Sequence, residues 1–252
     1  MTFPPEGPAR SLCLAADEAL TAAAFCTGDL ATAESLFTGA QELAVRTGDR
    51  AGEAFALGGL GMVLHHRNLA GLIGGAPLAE ADVAAEEDLM RRALVGWQDT
   101  GDAAGTARGL FCLSLVFQVL RRDWAAGMPY LWQAFGLAEA AAEGGDLYGR
   151  SEIHRHLGFY YLAEDVRPRE AVRQLGYSLA LREEIGDPRR IPSAVVALAE
   201  AELAAGEPER AAGRLRRAVT LARAANLLPW RIQDAEENLR QAEAAVRGAR
   251  SA

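Results

Sequence analysis

Small and large apolar residues recur along this chain at helical spacing. Ala33-x3-Phe37-x2-Ala40, Ala171-x3-Leu175-x2-Ser178 and Ala211-x3-Leu215-x2-Ala218 each set small, large, small along one face of a helix. The small residues of such a seam let a neighbouring helix approach, and the large one fills the gap. Further on, Ile232, Ala235, Leu239, Ala242 and Val246 form an apolar face, with Arg231, Glu237, Arg240 and Glu243 on the other side. These positions predict packed amphipathic helices.

The helices have legible ends. Gly48-Asp49, Gly101-Asp102, Gly145-Asp146 and Gly186-Asp187 each pair a residue suited to the left-handed helix stop with one whose carboxylate accepts from the next helix's free amides. At one fixed offset beyond each step stands a leucine followed by a small residue: Leu60-Gly61, Leu113-Ser114, Leu157-Gly158 and Leu198-Ala199. A second kind of joint, Gly28-Asp29 and Gly206-Glu207, falls inside the units, and Pro208 then occupies a first helical turn, where its missing N–H costs nothing. Each unit is therefore two helices joined by a short turn. Unit ends at 48, 101, 145, 186 and 226 lie 53, 44, 41 and 40 residues apart, so the chain is an internal repeat. The long first interval places about a dozen extra residues in Asn68 to Ala79.

The run His154-Arg155-His156-Leu157-Gly158-Phe159-Tyr160-Tyr161, followed by Ala171-x3-Leu175, resembles the tetratricopeptide repeat family, with His154 at the usual aromatic position. Units near forty residues, and stretches such as Leu181 to Asp187 and Leu203 to Ala211, are similar to the sensor regions of large actinobacterial transcription regulators and of maltose-type activators. The chain shows neither the nucleotide-binding motor nor the DNA-binding helices of those regulators and looks like such a sensor region standing alone. The resemblance implies an all-α, right-handed superhelix (solenoid) of about five tetratricopeptide-like helical hairpins plus a C-terminal capping helix. The expected organisation is one domain over 1–252, with hairpins at 10–48, 50–100 (insertion 68–79), 102–144, 147–186 and 188–226 and a cap over 229–246.

Composition narrows the chemistry. Half the residues are hydrophobic, many of them alanine, which favours close helix packing over a sheet with bulky faces. A net charge of -8 argues against direct nucleic-acid binding. Every basic residue is arginine, so Schiff-base and Walker-lysine chemistry are excluded. Arg91-Arg92, Arg121-Arg122, Arg189-Arg190 and Arg216-Arg217 are spread over different units and read as solvated faces and helix-end charges. Cys13, Cys26 and Cys112 are unevenly spaced in apolar contexts and read as buried thiols of a reducing cytoplasm. The start of the chain shows no signal-peptide pattern, and no uninterrupted apolar stretch reads as a membrane span. His65/His66 are adjacent and His154/His156 two apart, so neither pair converges on one helical face, and no metal or other cofactor is expected.

By the resemblance, first helices of hairpins line a groove. Counted from the small residue after each leucine, the inward positions are Phe55, Gly58, Met62 and His65; Arg108, Phe111, Leu115 and Gln118; Glu152, Arg155, Phe159 and Leu162; and Ser193, Val196, Glu200 and Leu203. Arg108 and Arg155 are expected to clamp a peptide carboxylate or small anion. The apolar, glycine-rich Asn68 to Ala79 segment is expected to be a lid over this groove, beside His65 and His66, or a partner contact. Trp97, Trp124, Trp132 and Trp230 read as packing anchors.

Three readings of function follow. The first is a non-enzymatic binding or scaffold module that recognises a protein segment or small ligand in its groove, in a regulatory setting. Its candidate contacts are Phe55, Met62, His65, His66, Arg108, Phe111, Gln118, Glu152, Arg155, Phe159 and Glu200. The second is a helical-repeat enzyme doing acid–base chemistry on a small molecule in an enclosed pocket, with His65, His154 or His156; Glu152, His156 and Tyr160 at four-residue spacing suggest one such line. The third is a structural subunit, and self-association into a homo-oligomer stays open.

Overall fold

The structure is a computed structural model that describes residues 7–141 and 145–251. Residues 1–6, the close of the third predicted hairpin at 142–144, and 252 lie outside the described residues. Eleven helices follow one another among the described residues, with no strand: α1 (Arg10–Ala22), α2 (Leu30–Thr47), α3 (Arg50–Ile73), α4 (Glu80–Asp99), α5 (Ala103–Leu115), α6 (Trp124–Ala140), α7 (Leu147–Ala163), α8 (Pro168–Ile185), α9 (Ile191–Ala204), α10 (Pro208–Ala224) and α11 (Pro229–Ser251). The turns after α1 (Ala23–Thr27) and α5 (Val116–Leu120) are wound as π-helix. The chain forms two compact units. One comprises Gly28–Gly149 with the residues before Phe25, and the other comprises Arg150–Ala252 with Phe25–Thr27.

The helix ends follow from the Gly-Asp steps. Gly48 takes φ +69° and closes α2, and Asp49 then accepts from the Gly52 N–H at 2.8 Å to open α3. Asp102 does the same for α5 through Gly105 at 2.9 Å. Such caps are worth about 1 kcal/mol each. The fourth step departs from this scheme. Asp187 holds Arg189 and Arg190 in a short turn, and α9 starts only at Ile191.

The seams read from the sequence are fully buried: Ala33, Phe37 and Ala40 on α2, Ala171 and Leu175 with Ser178 on α8, and Ala211, Leu215 and Ala218 on α10. Two further seams complete the set. Gly127, Leu131 and Ala134 are buried on α6, and Glu86, Met90 and Ala93 on α4. In α4 a glutamate thus occupies the place that the other second helices give to alanine or glycine. The first helices meet these seams through close approaches. A Cβ at Gly59 would lie 2.2 Å from a Phe37 ring carbon, and one at Gly158 would lie 2.5 Å from Leu175. Side chains are absent there because the neighbouring large residue already fills the space.

The Asn68 to Ala79 segment is not a lid. Residues 68–73 continue α3, because Leu69, Leu72 and Ile73 extend its helical pattern and the first stop is Gly74-Gly75, with Gly75 at φ +77°. Leu72 and Leu78 pack on Val83, Val116 and Leu120, within the same unit. The extra residues therefore lengthen one hairpin. One helical stretch, Ala103–Leu120, is long and apolar enough to cross a membrane, but 67% of it is buried against the rest of the chain, which is how a core helix behaves.

Candidate functional site

In the unit containing α1 to α6, the candidate residues are mostly packed away. Phe55, His65, Phe111 and Gln118 are buried, because successive first helices α1, α3 and α5 lie side by side and cover one another's flanks. Arg108, assigned by its register to a partner's anion, is engaged within the chain. Its guanidinium lies 3.5 Å from Asp17, close enough to Asp146 to feel its charge, and 5.4 Å over the Phe55 ring. Burial works against the Arg108 charge, yet Asp17 and Asp146 together more than offset it, and the pKa is raised. Next to it the Met62 sulfur meets Cys112 at 3.7 Å, and burial pushes the Cys112 thiol up to about 11. Such a thiol stays protonated and unreactive at neutral pH.

His65 and His66 sit edge to face, with ring centroids 6.0 Å apart. His65 Nδ1 lies 2.9 Å from one oxygen of the wholly buried Glu86, and Asn68 Nδ2 donates to the other oxygen at 2.9 Å. This is where the lengthened α3 has its effect, since Asn68 is one of the added residues. The carboxylate, buried where a small residue would otherwise stand, has both oxygens engaged, as burial demands.

In the unit containing α7 to α11, side chains from three helices meet around Arg155. Arg155 on α7 lies 4.8 Å over the Phe159 ring and 3.9 Å from Glu152. It also acts electrostatically on Glu200 of α9 and Asp234 of α11. Burial pushes the Glu200 carboxyl up to about 7; Asp234 adds to the rise and Arg155 opposes it. Asp234 is also raised by burial, against Arg155 and Arg231. Arg155 thus acts on two carboxyls that burial raises, while Arg231 acts on Asp234 as well and Glu152 is paired with Arg182.

Each member of the Glu152, His156 and Tyr160 line has a close neighbour outside the line. Glu152 is turned to Arg182, a fully buried guanidinium on α8 that also donates to the Arg190 carbonyl and to Ser193 Oγ at 2.7 Å each. A buried charge takes the nearest carboxylate. His156 packs edge-on against Phe159 at 5.6 Å, Tyr160 lies beside Tyr161, and His154 Nδ1 meets Gln174 at 2.7 Å. Among the described residues no three His, Cys, Asp or Glu side chains converge as metal ligands.

Of the candidates, Glu152, Arg155, Phe159 and Glu200 lie in one unit, and Phe55, Met62, His65, His66, Arg108, Phe111 and Gln118 lie in the other, where they are mostly covered. Arg108 and Arg155 belong to different units, each engaged by acids of its own. Sequence reasoning missed Asp17, Asp146 and Asp234. No Leu-small pair marks α11, so the inward register had no anchor there, and Asp234 had no signal.

No protein-family profile and no curated protein matches the chain. Solved structures do. A kinesin-light-chain candidate from Podosopora anserina with nearly identical TPR-like repeats, in a point-variant form, superposes with a TM-score of 0.50 at 15% identity, over 86% of this chain and 96% of that one. This chain has a TPR-like fold. Another form of the same fungal protein (TM-score 0.49, 16% identity, 86% and 97% covered) and BtubC (BKLC) from P. vanneervenii (0.49, 16%, 86% and 91%) are also similar. At such identities the likeness speaks for the fold alone.

Proposed function

We propose that this protein is a non-enzymatic, cytoplasmic binding module that recognises a protein segment carrying a basic side chain, on the face formed by α7, α9 and α11. The observation that carries the reading is the pair Glu200 and Asp234, from two helices, whose carboxyls are raised by burial although Arg155, beside the Phe159 ring, acts on both and Arg231 on Asp234. A lysine or arginine of a partner would add positive charge beside both carboxyls and favour their ionised form, and Phe159 would take its aliphatic stem. The TPR-like fold supports the reading, because stacked hairpins present extended side-chain rows along one face. Cys13, Cys26 and Cys112 form no disulfide, which fits a reducing compartment. A regulatory role follows if the bound segment belongs to a signalling or transcription partner.

The test is selection from a random displayed-peptide library on the immobilised full chain, followed by polarisation titration of the winners. Enriched peptides should share a Lys or Arg, bind more weakly as salt rises, and lose about tenfold or more in affinity against the Glu200→Gln/Asp234→Asn variant, whose helicity is unchanged. Peptides without a shared basic residue, or equal binding by the variant, would overturn the proposal.

A further inference from the structure

The unit that holds α7 to α11 also includes Phe25–Thr27, and these residues find partners where α10 gives way to α11. Asn226 closes α10 at φ +50°, a left-handed stop open to asparagine. Just beyond it, the Leu228 N–H donates to the Phe25 carbonyl at 2.8 Å, and Cys26 Sγ lies 3.8 Å from the Ala225 carbonyl oxygen. Phe25 is buried, and the guanidinium of Arg231, in the first turn of α11, lies 4.7 Å over its ring and 4.3 Å over the ring of Trp230. Two aromatic contacts thus hold the end of a long side chain that would otherwise sample many rotamers. Three residues on, and so on the same side of α11, stands the exposed Asp234, which feels the Arg231 charge.

We infer that Arg231, held in place by Phe25, is a built-in competitor for a partner's basic side chain, so that the α7, α9 and α11 face is autoinhibited. The inference rests on the reading of that face proposed above. Both cations would use the same chemistry, a positive head beside Asp234 with an aromatic ring against its stem or plane. Arg231 has Phe25 and Trp230 for its rings, and the partner's residue has Phe159. While Arg231 stays, an incoming cation meets a like charge and shares Asp234 with it. Being tethered, Arg231 competes at a high effective concentration, yet it lies one turn from Asp234 and does not act on Glu200, so it lowers affinity without abolishing binding. The affinity of the face is therefore set in part by the Phe25–Thr27 turn. Loosening that turn releases Arg231 toward solvent and opens Asp234.

The displayed-peptide selection is run in parallel on the full chain and on its Arg231→Gln variant, and peptides from both are titrated against both by polarisation. Arg231→Gln should bind the same basic peptides about three- to fivefold more tightly, and Arg231→Lys should return affinity toward the wild-type value. Phe25→Leu keeps an apolar side chain but removes the ring face; it should also tighten binding, with no further gain when combined with Arg231→Gln. Arg217→Gln removes an exposed arginine of α10 that pairs with Glu183, and should leave affinity unchanged. Circular dichroism checks that each variant keeps its helices. Equal or weaker binding by Arg231→Gln, or the same gain in Arg217→Gln, would overturn the inference and leave the reading of the face standing. If neither protein enriches basic peptides, that reading falls and the inference with it.

Discussion

Replacing Glu200 with glutamine tests the electrostatics of the α7, α9 and α11 face in isolation from any partner. The Glu200 carboxyl titrates near 7 in the folded chain, against an ordinary 4.5. The folded state thus holds this proton more tightly than the unfolded state does. Its contribution to stability is complete below pH 4.5, fades as pH rises, and is gone above about 7. A rise of 2.5 units corresponds to a ceiling of about 3.4 kcal/mol, and solvent reaching this partly exposed carboxylate reduces the expected effect to about 1–2 kcal/mol. Glutamine keeps the shape and removes the titration. Glu200→Gln should therefore match the wild type at pH 4.5 and exceed it at pH 8 by about 1–2 kcal/mol, or roughly 3–6 °C in Tm. Thermal melts at pH 4.5, 6 and 8, followed by circular dichroism, read the difference directly. Parallel profiles, or a variant less stable at pH 8, would show that the Glu200 charge is well compensated in the folded chain.

Two further outcomes follow from the packing. Gly59→Ala drives a methyl group into the Phe37 ring and should cost about 1–3 kcal/mol in urea unfolding; an undiminished midpoint would mean that the ring has room to move. Glu86→Ala strips the buried partner from both His65 and Asn68 and should cost about 2–4 kcal/mol, part of it recovered when His65 is also made leucine; purely additive losses in that double-mutant cycle would refute the coupling.

The repeat itself was open to reading because it rests on local chemistry. Gly48 and Asp49 stop and start helices whatever surrounds them, and the Ala33, Phe37 and Ala40 seam is periodic in any context. The hairpin α3 to α4 was harder for the same reason. Glu86 breaks the small-large-small pattern, so the seam through Met90 and Ala93 is not legible, and the glycine-rich extra residues read as a lid or partner contact although Leu69 and Leu72 continue the α3 face. The site was least legible where charges are buried. Arg182 looks like a surface arginine, and only the fold reveals that it claims Glu152, a residue placed in the groove by register alone. Arg108 is a similar case, since its partners Asp17 and Asp146 lie far away in sequence.

The buried glutamate of α4 also bears on how such an array can be rearranged. Hairpins whose seams are alanine, leucine and phenylalanine present neighbours with interchangeable apolar ridges, and one can in principle stand in for another. The α3 to α4 hairpin carries its own lock, since Glu86 is tolerable only while His65 and Asn68 from the preceding helix are in reach. Moved, duplicated without its lengthened first helix, or slipped by one turn, it would strand a carboxylate among apolar side chains. This hairpin has a fixed address in the chain.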